Sequence, residues 1–119
     1  MTARTSVPAD PADPHREVVL VIGLRLKPGR REEFMALLAP VLDAMRHETS
    51  FVNTVLHEDP EDPDSLMLYE TWADYTDLVE VQVGRPYRRA YMERLDDLLA
   101  EPRSVAIWRR LRSDFAFRA

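Results

Sequence analysis

The chain of 119 residues predicts an α+β domain in the order β-α-β-β-α-β, folded as a four-stranded antiparallel sheet with helices on one face. Three observations lead there. Two β-prone runs, residues 51–57 and 66–72, flank an acidic segment holding Pro60 and Pro63, which cannot extend a ladder, so the stretch reads as a hairpin. Residues 17–27 are continuously apolar and then alternate, as a strand does when it is buried on both sides early and on one side late. Residues 31–47 and 74–99 repeat apolar side chains at helical spacing.

Residues 1–16 hold Pro8, Pro11 and Pro14 among Asp and Ala, a composition that cannot bury enough surface to offset ordering, and are read as a mobile tail. In the first strand Leu20, Ile22, Leu24 and Leu26 share one face and Val19, Val21, Gly23 and Arg25 the other. Pro28-Gly29 ends it. The first helix aligns Phe34, Leu37, Leu38, Val41, Leu42 and Met45, and Pro40, which removes one amide donor and crowds the Ala36 carbonyl, is expected to kink it. Asp74 is the expected N-cap of a helix reaching Val83; Gly84-Arg85-Pro86 breaks it, and residues 86–99 resume with Tyr91, Leu95, Leu98 and Leu99 inward. Residues 104–111 return to strand. Residues 17–112 thus form the domain, and 113–119 a short tail in which Phe115 and Phe117 can dock on a neighbour.

With short connections and right-handed crossovers, this order gives the ferredoxin-like arrangement. Its helices cover one face. Val19, Val21, Met67 and Tyr69 alternate onto the other, a patch too apolar for a lone protomer, so a homodimer paired through the sheet face is expected.

Composition narrows the function. Apolar residues at 45% and charged residues at 31% are ordinary for a globular domain, and the longest apolar run, residues 18–22, is too short to span a membrane. Nothing near Met1 reads as a signal peptide, so a cytoplasmic location without membrane attachment is expected. The net charge of −5 disfavours nonspecific nucleic-acid binding, although Arg109, Arg110 and Arg112 cluster. The absence of cysteine rules out disulfides and thiolate chemistry. His47 and His57 lack metal-site spacing, and Asp59, Glu61, Asp62 and Asp64 do not follow a calcium-loop pattern, so no metal site is expected.

Leu66, Leu68, Glu70 and Trp72 alternate onto the face that the helices cover. A buried Glu is rare unless paired, and a carboxyl group beside an indole in a partly apolar cavity suits proton transfer. The alternative is structural: Glu70 pairs with a helix arginine and Trp72 fills the core. Phe51, Asn53, Val55 and His57 alternate together on the neighbouring strand. If that face is inward, Asn53, His57, Glu70 and Trp72 converge on one cavity; if outward, Asn53 and His57 belong to solvent or a dimer surface.

The hairpin resembles that of the antibiotic biosynthesis monooxygenase family of dimeric α+β barrels. The resemblance rests on Leu26-Lys27-Pro28-Gly29, on Glu48, on residues 57–63 (HEDPEDP), on residues 68–74 (LYETWAD) and on Arg85-Pro86-Tyr87, and covers residues 18–111. It implies oxygen insertion into a small quinol, phenol or polyketide-type aromatic by O₂, without flavin, metal or other cofactor, in an apolar pocket that stabilises a substrate anion. In that reading Trp72, Glu70, His57 and Asn53 are the catalytic candidates, and Leu68, Ile22, Tyr87, Arg88 and Tyr91 line the substrate site. Family members that degrade haem place an Asn, a Trp and a His where this chain has Ile22, Gln82 and Met92, which disfavours haem degradation. Members acting on aromatic polyketides share a Trp with Trp72 but have an Asn at Leu68 and a Tyr at Leu78. The alternative to an oxygenase is a non-catalytic dimer that binds a small molecule.

Overall fold

The computed structural model describes residues 15–117. The expected N-terminal tail lies outside the described residues except for His15 and Arg16, as does the end of the C-terminal tail, Arg118 and Ala119. Strands β1 (Val18–Arg25), β2 (Phe51–Asp59), β3 (Asp62–Trp72) and β4 (Ser104–Trp108) form one sheet in the order β2-β3-β1-β4, with every neighbouring pair antiparallel. Helices α1 (Arg31–Met45), α2 (Tyr75–Glu80) and α3 (Arg89–Leu98) cover one face, with two single 3₁₀ turns, Gln82–Gly84 and Pro86–Arg88, joining α2 to α3. The ferredoxin-like α+β fold read from the sequence is the fold observed.

Each connection has a local cause. Between β1 and α1, Arg30 N–H donates to the Lys27 carbonyl at 3.2 Å across Pro28 and Gly29, with Gly29 at φ 81°. Pro at the second position and a left-handed Gly at the third define a type II turn. Asp74 caps α2 as expected, its side chain accepting from the Asp77 amide at 3.0 Å. Helix α1 continues on both sides of the exposed Pro40.

The core lies between sheet and helices. Leu20, Ile22, Leu24, Leu66, Leu68 and Trp72 meet Phe34, Leu38, Val41 and Met45 of α1, Tyr75 and Leu78 of α2, and Tyr91, Leu95 and Leu98 of α3. Full burial of each such side chain contributes roughly 1.5–3 kcal/mol. The register places Val19, Val21, Met67 and Tyr69 on the opposite face, beside Val55 and the 61% exposed Trp108.

Three expectations are corrected. Pro63 lies inside β3, not in the turn. Asp59 pairs with Asp62 while Glu58 pairs with Leu66, so Pro63, Asp64 and Ser65 bulge away from β2, where the missing amide of Pro63 breaks no ladder bond. The loop therefore shrinks to Pro60 and Glu61, and Arg31 holds its base, donating to the Pro63 carbonyl and to Glu58 Oε1, each at 2.7 Å. Strand β4 ends at Trp108, not Leu111, because Trp108 pairs with Val19 next to the start of β1, and among the described residues no partner strand continues beyond it.

Phe51 pairs with Trp72, but Asn53 pairs with Thr71, so Val52 is an extra residue that inverts the alternation. Phe51 faces inward while Asn53, Val55 and His57 face outward, all three exposed, opposite Thr71, Tyr69 and Met67. Of the two arrangements the sequence left open for Asn53 and His57, the outward one holds, and they lie across the sheet from Glu70 and Trp72.

Candidate functional site

Alternation along β3 delivers Leu66, Leu68, Glu70 and Trp72 to the space beneath the helices, and Glu70 ends there only 6% exposed. A buried carboxyl needs donors, and the Trp72 indole N–H supplies one, donating to Glu70 Oε1 at 2.9 Å. The two side chains are neighbours because residues two apart on a strand point the same way. Trp72 is itself fully buried and meets the Phe51 ring edge-on at 5.3 Å and 70°.

The chain break at Gly84-Arg85-Pro86 supplies the next groups. Arg85, preceding proline, is extended at φ −61° and ψ 134°, and Pro86 then opens a 3₁₀ turn that carries Tyr87 and Arg88. The Arg88 guanidinium lies over the Trp72 ring at 5.8 Å and the Tyr87 ring at 5.5 Å from the centroids. Tyr87 O–H donates to Glu48 Oε2 at 2.9 Å, and Arg85 grips the same carboxylate at 2.9 and 3.2 Å. Although burial opposes ionisation of Glu48, these donors outweigh it and hold its carboxyl below the usual range. Buried Gln82 extends the network, its Nε2 donating at 3.0 Å to Asp77 Oδ2, which also accepts from Ser50 Oγ. These bonds fasten the α2–α3 connection to the start of β2.

Between sheet and helices lies a cavity of about 430 Å³, within the range of small-molecule sites. Leu20, Ile22, Leu68 and Val105 of the sheet form its floor, Leu38, Val41, Leu42 and Met45 of α1 one wall, and Leu78, Val79, Tyr91 and Met92 the other. Into this apolar surround project Glu70, Arg88, Arg103 and the Tyr91 hydroxyl. Burial pushes the Tyr91 phenol up to about 12, with the Arg103 and Arg88 charges partly offsetting and Glu70 adding to the effect. Tyr91 is therefore a neutral hydroxyl at ordinary pH. The cavity can hold a flat apolar molecule, offer its polar substituents guanidinium and hydroxyl donors, and place one carboxyl group beside them.

Of the residues expected to line a substrate site, Ile22, Leu68, Arg88 and Tyr91 do so, whereas Tyr87 stands outside the lining and bonds to Glu48. Of the catalytic candidates, Glu70 lines the cavity and Trp72 lies one layer behind it. Asn53 and His57 are on the far side of the sheet. Arg103 was missed: it sits in the turn before β4 with no periodic signal, and only the length of its side chain brings it to the cavity.

A sequence model of the antibiotic biosynthesis monooxygenase family matches residues 17–94. The chain belongs to that family. The family span covers β1 through most of α3 and thus nearly all of the cavity wall. An uncharacterised protein of Synechocystis is 27% identical over 92 residues, 77% of this chain and 62% of that one, so this chain spans less than two thirds of that relative. A protein of Pestalotiopsis microspora bearing a provisional monooxygenase name is 29% identical over 101 residues, 84% of each chain. Among solved structures, Rv0793 of Mycobacterium tuberculosis matches with a TM-score of 0.74 at 24% identity, over 82% of this chain and 97% of that one. SnoaB, a cofactor-independent oxygenase of Streptomyces nogalater, matches with a TM-score of 0.69 at 16% identity, over 82% and 95%. At these identities what is shared is the antibiotic biosynthesis monooxygenase fold. Among the described residues no helix is long and apolar enough to cross a membrane.

Proposed function

We propose that this chain is an oxygenase that adds oxygen from O₂ to a small quinol or phenol without a cofactor. The observation that carries the reading is an apolar cavity whose carboxyl group, Glu70, is fixed by the Trp72 indole. Family membership and the likeness to SnoaB support the same chemistry. Glu70 accepts the phenolic proton, and the guanidinium groups of Arg88 and Arg103 stabilise the resulting anion. The electron-rich ring then reduces O₂ directly. For a hydroquinone the balance is hydroquinone plus O₂ giving hydroxyquinone plus water: one oxygen atom enters the product, the other leaves as water, and all four electrons come from the substrate. The exposed apolar side of the sheet, with Val21, Val55, Tyr69 and Trp108, suits pairing with a second copy, and sedimentation should give twice the mass of the chain. Incubation with a panel of hydroquinones tests the chemistry: oxygen uptake above buffer autoxidation, with isotope from labelled O₂ in the product, is expected.

A second reading, ligand binding without turnover, is favoured by one observation: Trp72, Asn53 and His57 all stand off the cavity wall, leaving Glu70 as the sole lining residue among the four catalytic candidates. It predicts that the same compounds raise the melting temperature while oxygen uptake stays at background.

A further inference from the structure

We propose that the cavity selects an aromatic ligand carrying one carboxylate, and that the side edge of the Arg88 guanidinium is the seat of that group. The inference rests on the cavity being the ligand site, as the proposed function does, but it needs no turnover.

The contacts with the Trp72 and Tyr87 rings engage the Arg88 charge but supply no lone-pair acceptor in the guanidinium plane, so its N–H groups must find acceptors elsewhere. Two of those nitrogens, Nε and Nη2, are buried and meet no hydrogen-bond acceptor among the described residues. Their N–H bonds lie on the same edge of the guanidinium and run nearly parallel, a fork whose spacing matches the two oxygens of a carboxylate. Buried donors without acceptors are costly, and a bidentate anion removes that cost in one step. Arg88 lines the cavity, so the ligand that supplies the anion enters there. The neutral Tyr91 hydroxyl adds a donor, and the aliphatic and aromatic walls take the ring. A phenol alone offers one oxygen to the fork; a ring carboxylate offers two and leaves its phenolic proton for Glu70.

The test compares 1,4-dihydroxy-2-naphthoate with its methyl ester, which keeps the ring and hydroxyls but not the charge. Calorimetric titration under nitrogen removes any contribution from oxidation. Wild type should bind the acid at least tenfold more tightly than the ester. Arg88→Met should level the two affinities, and Arg88→Lys, which keeps the charge but loses the fork, should retain only a fraction of the preference, giving a second readout if the Met variant folds poorly. Equal affinities in wild type, no binding of either compound, or a preference unchanged in both variants would overturn the inference. Oxygen uptake in air separates it from the activity. A preference for the acid without uptake upholds the inference and removes the oxygenase reading, whereas uptake without the preference removes the inference alone.

Discussion

Trp72 and Glu70, two positions apart on β3, are joined by an indole N–H donated to Oε1 at 2.9 Å, and this bond sets the orientation of the one carboxyl group on the cavity wall. Replacing Trp72 with Phe keeps most of the buried ring but leaves that oxygen without its donor. Stability should fall by roughly 1–3 kcal/mol in urea titration, the cost of an unsatisfied buried polar group. If Glu70 is the proton acceptor, kcat should fall further than this loss of fold explains, with KM little changed, because Trp72 does not touch the cavity.

Tyr91 predicts an alkaline limb of stability. Its folded pKa of about 12 lies above the ordinary value of 10.0, so as pH rises the unfolded chain loses its proton first. The contribution is whole below about pH 10 and is lost between there and about pH 12, to a total of roughly 2–3 kcal/mol. Denaturation midpoints measured at intervals across that window should slope downward for wild type and more gently for Tyr91→Phe.

Asn53 and His57 sit across the sheet from the cavity. Alanine at either position should leave oxygen uptake per folded molecule unchanged, because neither side chain reaches the cavity. A large loss of uptake with the fold intact would place the chemistry on the wrong side of the sheet.

Glu48 holds Tyr87 and Arg85 together and so ties down the turn that presents Arg88. Glu48→Gln should speed amide hydrogen exchange across residues 82–88 while leaving exchange in β1 and β3 unaltered. It should also weaken ligand binding, since Arg88 loses its fixed neighbour Tyr87.

The sequence carried most of the scaffold because its signals there are periodic. Leu20, Ile22 and Leu24 announce one face of β1, Phe34, Leu38, Val41 and Met45 a helix stripe, and Asp74 a cap, and each is used as its chemistry suggests. What alternation cannot carry is an interruption of itself. One extra residue, Val52, turns Asn53 and His57 outward, and nothing in a run of β-prone residues marks which of them will bulge. Pro63 is the mirror case, a visible breaker that the strand absorbs because its bulge needs no amide there. Glu70 was legible as a charged residue in a buried register, and Arg88 only through the family resemblance. Arg103 was not, since it reaches the cavity from a turn by the length of its side chain.

The proposed oxygenase chemistry requires that Glu70, on the wall of the cavity, take the proton that commits a phenolic substrate to reaction with O₂. Oxygen consumption by wild type and Glu70→Gln, measured with the most reactive hydroquinone of the panel, tests it directly. Uptake above autoxidation that falls at least a hundredfold in the variant, while the protein still melts cooperatively near the wild-type temperature, is the predicted result. Equal uptake by the two proteins, or none above buffer from wild type, would contradict it.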